Sequence, residues 1–476
     1  MTLWPQLLVW AAAVPLWLSW PALQRSVWWY PEGGAYHVWL LGVVALVLLW
    51  RRLGARKELL WAASLAGSLS TAGLWALAKH AVVDRTAGDL LFGTLRGARR
   101  LRAGQPIYDL RGLQQSVNAS PLAILAVLPL AGLSDRQAIA VFVGAAALAL
   151  LLFVWAAKDI PHSKGASETF VWGVIALCAC TTFFSFQRSW RLGQLDTTLL
   201  ALLTVSLGWF HMEKRWRRDG SAVAFALAVG LKLAPAVAVV PLVLRAWESG
   251  AGRTRRWLLI ALCTVAALGT ISGVFVGWGE VGRFARNLTL VNEGTTSGNN
   301  YALRARIATW GDREARSKHA PLPGSMSWLA PLFGLLWAGW TWRARRSDPV
   351  LLMAFWLAGL PFFSPISWDI YFVWCGLLPW WLVWTRTFER GGAKVSPQSR
   401  LIWVLASGGY LLGGTMGNTV FTDFHSRVQW NTPLPQFFDE MPLVGHILTT
   451  LALAWSLQRE PAQVPALTTK PDPASN

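Results

Sequence analysis

The residues best suited to chemistry lie in a polar stretch between the apolar runs 58–80 and 117–133. Asp89 opens this stretch, an arginine-rich segment follows it at 96–102, and a Gly-Gln-Pro-Ile-Tyr-Asp turn occupies 104–109. A carboxylate just outside the hydrocarbon layer can act as a general base toward a hydroxyl. The stretch therefore predicts an enzyme site at a bilayer surface, acting on lipid.

Ordinary helix chemistry offers alternatives to a catalytic role for Asp89. Aspartate is a preferred N-cap residue and favours a helix N-terminus, so Asp89 could simply cap a helix over 90–103. Asp84 is a competing carboxylate in the same segment. The arginines that follow either bind a phosphate or hold an amphipathic helix in the headgroup layer.

A lysine inside an apolar run is the second candidate. Lys232 lies within the run 221–244, three residues before Pro235. A charge within a membrane span is costly and marks a functional site by default, and the proline leaves backbone carbonyls that need other partners. We expect Lys232 to be a functional cation, with a phosphate as its natural partner.

The other candidates are polar or aromatic side chains between apolar runs. The amide of Gln194 can both donate and accept hydrogen bonds, which suits sugar hydroxyls, although an ordinary interhelical turn looks the same. Trp368 is either an interfacial anchor or a stacking face for a sugar ring. Amides and arginines that suit a polyol and a phosphate complete the set: Asn300, Arg304 and Arg306.

Composition places the chain in a membrane. Of 476 residues, 54% are hydrophobic and 14% charged, whereas a soluble domain carries about a quarter charged residues. The net charge of +19 falls largely in short loops, where the positive-inside bias explains it better than nucleic-acid binding does. The four cysteines all lie in apolar runs and are interpreted as core hydrophobes.

The apolar runs predict an all-α, polytopic protein with about 14 transmembrane helices. The predicted spans are 3–23, 37–50, 58–80, 117–133, 138–156, 169–187, 195–210, 221–244, 257–276, 326–344, 348–363, 370–385, 400–416 and 442–456. The tail 458–476 is polar and proline-rich, which predicts disorder on the cytoplasmic side.

Basic loops orient the spans. The cations near 51–57, 343–346 and 386–394 predict cytoplasmic loops, which places 81–116, 277–325 and 417–441 together on the outer side. Strict alternation then puts the basic loop 211–220 outside, against the rule. Either that loop is an exception, or a short segment such as Pro121–Leu133 is re-entrant.

In their order along the chain, these clusters resemble the pattern of glycosyltransferase family 87. This is a GT-C type group that includes polyprenol-phosphate-mannose-dependent α-mannosyltransferases of bacteria. The resemblance covers about 85–370. It rests on the segments Asp89, Gly104–Asp109, Ala119–Pro121, Gly193–Gln194, Lys232–Pro235, Asn299–Asn300 and Ser364–Trp368.

The chain departs from that pattern in two ways. Family members commonly have a histidine one or two places after the Ser-Trp pair, where this chain has Asp369, Ile370 and Tyr371. About two extra apolar runs also precede the Asp89 loop.

The resemblance implies one membrane glycosyltransferase domain over 1–457 in the inner (plasma) membrane, with its catalytic loops on the outer face. It implies inverting transfer of a hexose, with mannose as the first candidate, from a polyprenyl-phosphate carrier to a hydroxyl of a lipid or glycan acceptor. It implies neither a cofactor nor a metal. Asp89 would be the base. The substrate-binding residues would be Gln194, Lys232, Asn300, Arg304, Arg306 and Trp368. A lipid-linked sugar transporter or flippase, or an inactive membrane scaffold, is the alternative.

Overall fold

The computed structural model describes most of the chain between residues 56 and 458. The described ranges are 56–83, 87–108, 119–157, 160, 166–248, 251–292, 300–309, 322–364, 366–390, 397–415 and 433–458. The predicted spans 3–23 and 37–50, the competing carboxylate Asp84, Asn299 and the predicted tail after residue 458 lie outside them. Within these ranges the regular elements are helices, which confirms the all-α class, and the one strand-like pairing is an isolated bridge between Asn300 and Trp368.

Eighteen α-helices are assigned in these ranges, and we number them in chain order. They are α1 Arg56–Val83, α2 Leu95–Arg102, α3 Pro121–Val127, α4 Asp135–Ala157, α5 Ala166–Thr182, α6 Phe184–Leu192, α7 Asp196–Trp209, α8 Arg215–Leu231, α9 Val240–Ala246, α10 Gly252–Val276, α11 Trp278–Asn292, α12 Leu303–Ala308, α13 Leu329–Arg343, α14 Pro349–Phe363, α15 Phe372–Cys375, α16 Leu377–Arg390, α17 Pro397–Tyr410 and α18 Pro433–Leu457. Short π or 3-10 turns extend several of them.

Few of the helices reach the length of a full membrane crossing. By length and composition, α4 with 23 residues and α10 with 25 residues could each cross a membrane. The pair α5 and α6, bent by 72° at its junction, would make a third. A straight crossing needs about 20 apolar residues, so the structure does not confirm the expected count of about 14.

The predicted span 117–133 is too short to cross. Its residues 121–132 form the seven-residue helix α3 followed by a five-residue 3-10 turn, Leu128–Gly132. Together these rise only about 20 Å, less than the hydrocarbon thickness of about 30 Å. Both ends of the segment contact the same neighbouring stretch of chain. The Tyr108 hydroxyl donates to the Ala119 carbonyl at the start, and at the end Arg99 on α2 donates to the Leu133 carbonyl and pairs with Asp135 at 2.8 Å. The re-entrant alternative therefore fits the structure, and a crossing at 117–133 does not.

The predicted span 221–244 is two helical arms that meet at Lys232. Helix α8 ends at Leu231, Lys232 takes an extended conformation, and a 3-10 turn, Ala234–Val239, leads into α9. The Ser120 hydroxyl, which caps α3, lies 2.7 Å from the Gly230 carbonyl and 2.9 Å from that of Leu231. Ser120 thus supplies the partner that carbonyls freed at this break require.

Both arms of this hairpin lead back to one end of the bundle. Asp219 near the start of α8 binds Arg256 at 2.7 Å, and Arg255 donates to the Ala246 carbonyl at the end of α9. Glu248 pairs with Arg345 at 3.7 Å. We call this region, made of residues 211–219, 245–248, 251–256, 345–348 and 386, the basic end. The opposite end, which carries Asp89 and Lys232, is the site end.

The loop 211–220 belongs to the basic end. His211 contacts Asp348 at 2.8 Å, and Arg386 contacts the other oxygen of the same carboxylate. The loop that broke the positive-inside rule under strict alternation therefore lies beside the other basic loops. The short α3 segment removes the crossing that had placed it on the opposite side.

Three cysteines are buried as expected, and one is not. Cys178, Cys180 and Cys375 pack inside the bundle, whereas Cys263 is exposed on α10. The prediction of a core role for Cys263 is wrong, because α10 lies at the periphery and turns most of its middle outward.

Candidate functional site

Asp89 does not cap the helix that follows it. It stands before the π turn Leu90–Thr94 and makes no capping hydrogen bond with its side chain. Its Oδ2 atom instead accepts a hydrogen bond of 2.6 Å from Nε2 of Gln194, and the residue is exposed. The carboxylate therefore lies at the surface of the site end, held by a neutral amide.

Gly193 lets Gln194 reach Asp89. It ends α6 in the left-handed conformation, with φ of 72°. A Cβ atom at this position would lie 2.7 Å from Cβ of Leu90 and 3.1 Å from Cβ of Ala87. The missing side chain thus allows the turn after α6 to touch the segment that carries Asp89.

Lys232 is paired with a buried carboxylate. Its Nζ atom lies 3.0 Å from Oδ1 of Asp196, whose side chain is 0% exposed. The same Oδ1 atom accepts a hydrogen bond of 2.7 Å from the Trp374 indole. The ammonium also lies 3.8 Å from the centroid of the Tyr371 ring, a cation–π contact. The lysine side chain is 22% exposed, and Asp89 acts on it electrostatically.

Sequence reasoning singled out Lys232 but missed Asp196 as its partner. A signal was present, because Asp196 is an acidic residue at the start of the apolar run 195–210. Charged residues inside a membrane protein commonly pair with one another. In the sequence, Tyr371 stands where the chain departs from the family pattern, and the structure places its ring against the Lys232 ammonium.

Asn300 and Trp368 are brought together. The Asn300 side-chain oxygen accepts hydrogen bonds from the backbone of Ala302 at 3.0 Å and of Ser367 at 2.8 Å. Tyr301 donates to the Ser367 carbonyl at 2.7 Å. Asn300 is buried, so its oxygen joins two backbone segments, while the neighbouring Trp368 remains partly exposed.

Arg304 and Arg306 lie on α12, which begins three residues after Asn300. Both are buried, at 8% and 3% exposure. The Arg306 guanidinium stacks 3.8 Å from the Tyr301 ring centroid, and Tyr301 packs edge-on against Phe372 at 5.8 Å. Since Phe372 follows Tyr371, Arg306 borders the same region as Lys232, and Arg304 lies two residues before it on the same helix.

Glu280 on α11 fixes the turn that follows the Asp89 segment. Its Oε2 atom accepts hydrogen bonds from the backbone of Ile107 at 3.0 Å and Tyr108 at 3.1 Å, and Arg283 pairs with its other oxygen. The Tyr108 hydroxyl donates to the Ala119 carbonyl. Burial, and then the charge of Glu280, raise the pKa of Tyr108 well above its usual value. No motif in the sequence pointed to this contact.

The site end thus places a surface carboxylate, an ammonium and a set of aromatic rings close together. The predicted residues Asp89, Gln194 and Lys232 converge there, and Asn300, Trp368, Arg304 and Arg306 border it through Tyr301 and Phe372. Among the described side chains, no group of three His, Cys, Asp or Glu could hold a metal ion. A proton acceptor beside a cation suits transfer of a group whose leaving part is anionic.

Comparison with known families identifies the class. The family model for glycosyltransferase family 87 matches residues 120–366, just over half of the chain. The chain belongs to this family and is a glycosyltransferase, as the motif order had indicated. The matched range includes Gln194, Lys232 and the 300–306 segment, whereas Trp368 follows just after its end and the Asp89 loop precedes it altogether. Neither the curated proteins nor the solved structures gave a match.

Proposed function

We propose that this glycosyltransferase moves a hexose, with mannose the first candidate, from a polyprenyl-phosphate carrier to an acceptor hydroxyl. The site end would face the outer side of the inner (plasma) membrane and the basic end the cytoplasm, in a polytopic GT-C type arrangement. The observation that carries this proposal is the meeting of exposed Asp89 with the Lys232 ammonium at the same end of the bundle.

In the proposed reaction the sugar is transferred from the lipid phosphate to the acceptor oxygen in one inverting step. Asp89 accepts the proton of the acceptor hydroxyl while that oxygen forms a bond to the anomeric carbon. The bond between the anomeric carbon and the phosphate oxygen breaks, and the electron pair leaves with the lipid phosphate. Gln194 engages Oδ2 of Asp89, which leaves Oδ1 as the oxygen that takes the proton.

Lys232 is our first candidate for the leaving phosphate. Its ammonium has three donors, and Asp196 takes one of them. A positive charge aimed at a developing phosphate charge stabilises the transition state more than the ground state. Arg304 and Arg306 are the second candidates, since both would need to move from buried positions to reach a phosphate.

We assign the sugar and acceptor contacts by which of the candidate side chains are accessible at the site end. Trp368 is partly exposed beside Asn300 and offers a face on which a sugar ring can stack. Gln194 lies next to the proposed base, where a sugar or acceptor hydroxyl would also approach. Asn300 would contribute by holding the Trp368 segment in place, because its oxygen is engaged by the backbone.

An assay with a labelled polyprenyl-phosphate hexose tests the proposal. Membranes containing the protein should convert the label into acceptor-linked sugar and release polyprenyl phosphate. Movement of intact labelled lipid between leaflets, without cleavage, would identify a flippase instead. Absence of both would indicate an inactive scaffold.

A further inference from the structure

The turn that joins α6 to α7 holds both charged ends of the candidate site. Gln194 in this turn binds Asp89 at 2.6 Å, and Asp196, two residues later, binds Lys232 at 3.0 Å. A single four-residue segment, 193–196, therefore touches the surface carboxylate on one side and the buried cation on the other. The spacing between those two groups depends on this segment.

The Asp196 carboxylate is oriented by two donors on one oxygen. Trp374 and Lys232 both donate to Oδ1, and within the described part of the chain Oδ2 has no hydrogen-bond partner. Asp196 is fully buried, so the pair must offset the loss of hydration of both charges. Because burying this ion pair is costly, its place at the tip of the α8–α9 hairpin indicates a functional role.

We propose that Asp196 is the positioning residue of the site, an inference that rests on the proposed function. With its carboxylate anchored by Trp374, Asp196 fixes the Lys232 ammonium at the tip of the hairpin, where it meets the phosphate of the polyprenyl carrier. Lysine needs such a guide because its charge is carried on a flexible four-carbon stem. Asp196 itself does not touch the substrate.

Binding of polyprenyl monophosphate, compared with binding of the neutral polyprenol, isolates this role. We would measure both dissociation constants for the full chain in nanodiscs. The wild type should prefer the phosphate, and Asp196→Asn should reduce that preference about tenfold, the loss expected when one well-placed charge contact is misdirected. Polyprenol binding should not change.

Trp374→Phe is the matched control. It removes the other hydrogen bond to the same oxygen while leaving the ion pair in place, so its effect on phosphate preference should be smaller, about two- to threefold. If it instead reduces the preference as much as Asp196→Asn does, general damage to the core explains both results and the positioning role is refuted.

A double mutant shows whether Asp196 acts through the lysine. If it does, Asp196→Asn combined with Lys232→Met should have the same phosphate preference as Lys232→Met alone. Losses that multiply would refute the positioning role. Should Asp196→Asn fail to fold, Asp196→Glu keeps the charge but moves the ammonium by about one methylene length, and it should fold with weakened preference.

The outcomes separate this inference from the proposed function. If the wild type does not distinguish phosphate from alcohol, the phosphate role of Lys232 fails and the positioning role fails with it. If the wild type distinguishes them and Lys232→Met does not, but Asp196→Asn still does, the proposed function stands and the positioning role of Asp196 is wrong.

Discussion

At the basic end, charged and backbone donors surround the Asp348 carboxylate, whereas at the site end the hydrogen bond that the described residues make to Asp89 comes from a neutral amide. Burial alone would raise the pKa of Asp348, but Arg386 and His211 outweigh it and hold that pKa below its usual range. The Val350 backbone also donates to Asp348. Asp89 accepts from the Gln194 amide. The same side-chain type is a structural link at one end and is the proposed base at the other.

The cations differ in the same way. At the basic end, Arg256 donates two hydrogen bonds to Asp219, of 3.0 Å and 2.7 Å, in an exposed pair. At the site end, Lys232 makes one bond to a fully buried carboxylate. Exposed pairs of the first kind contribute little to stability, while breaking a buried pair leaves a charge without compensation. Substitutions at the two ends should therefore have different consequences.

The largest expected effect is loss of transfer in Asp89→Asn. The substitution keeps the shape and removes the base, which should lower the rate by about 10²–10⁴-fold without affecting expression or membrane insertion. Asp348→Asn is the control at the basic end and should lower the detergent melting temperature while retaining transfer. A near-normal rate in Asp89→Asn, with loss of activity in Asp84→Asn, would mean that the base is Asp84.

The next effect is on stability, in Lys232→Met. Removing the cation leaves the buried Asp196 carboxylate uncompensated, which we expect to destabilise the protein by about 3 kcal/mol. Adding Asp196→Asn should restore part of that loss, and melting in detergent measures both variants. Arg256→Met, in the exposed pair, should change stability much less than Lys232→Met does. Equal losses of stability in Lys232→Met and Arg256→Met would show that ion pairs at the two ends contribute alike.

A smaller effect is expected from Gly193→Ala. Alanine is strained at the backbone φ of 72° that Gly193 adopts, and its Cβ would lie 2.7 Å from Cβ of Leu90. The turn should therefore move and weaken the contact between Gln194 and Asp89. We expect a loss of about 1–2 kcal/mol and a drop in rate. Gly104→Ala is the matched control, because Gly104 has φ of 66° but no atom within 4 Å of the added Cβ. A similar rate loss in both variants would show that strain, rather than the Leu90 contact, matters.

The smallest functional effect comes from cysteine substitutions that report sidedness. After Cys263→Ser removes the exposed native thiol, Gln105→Cys at the site end should react with an impermeant thiol reagent added outside intact cells. Glu213→Cys at the basic end should react only after the membrane is opened. Both residues are exposed, so access to the reagent depends on sidedness. Labelling of Glu213→Cys from outside would overturn the assignment of the two ends.

The helical class and many helix positions could be predicted from the sequence, because hydropathy is a local property of the chain. The broken helix at Lys232 could also be predicted, since a lysine and a proline within one apolar run conflict with an uninterrupted span. The order of the motifs was sufficient to suggest glycosyltransferase family 87, which the family model confirms. Each of these features depends on residues close together in the chain or on their order.

The partners of the site residues were decided by the tertiary structure. Gln194 and Asp89 are 105 residues apart, Lys232 and Asp196 are 36 apart, and Glu280 lies 173 residues from Ile107. No local pattern encodes which buried carboxylate a lysine will meet, because that depends on how helices pack. The failed crossing at 117–133 has the same origin. Apolar composition favours burial, but it does not encode that Ala119 meets Tyr108 while Leu133 and Asp135 meet Arg99 on the neighbouring α2.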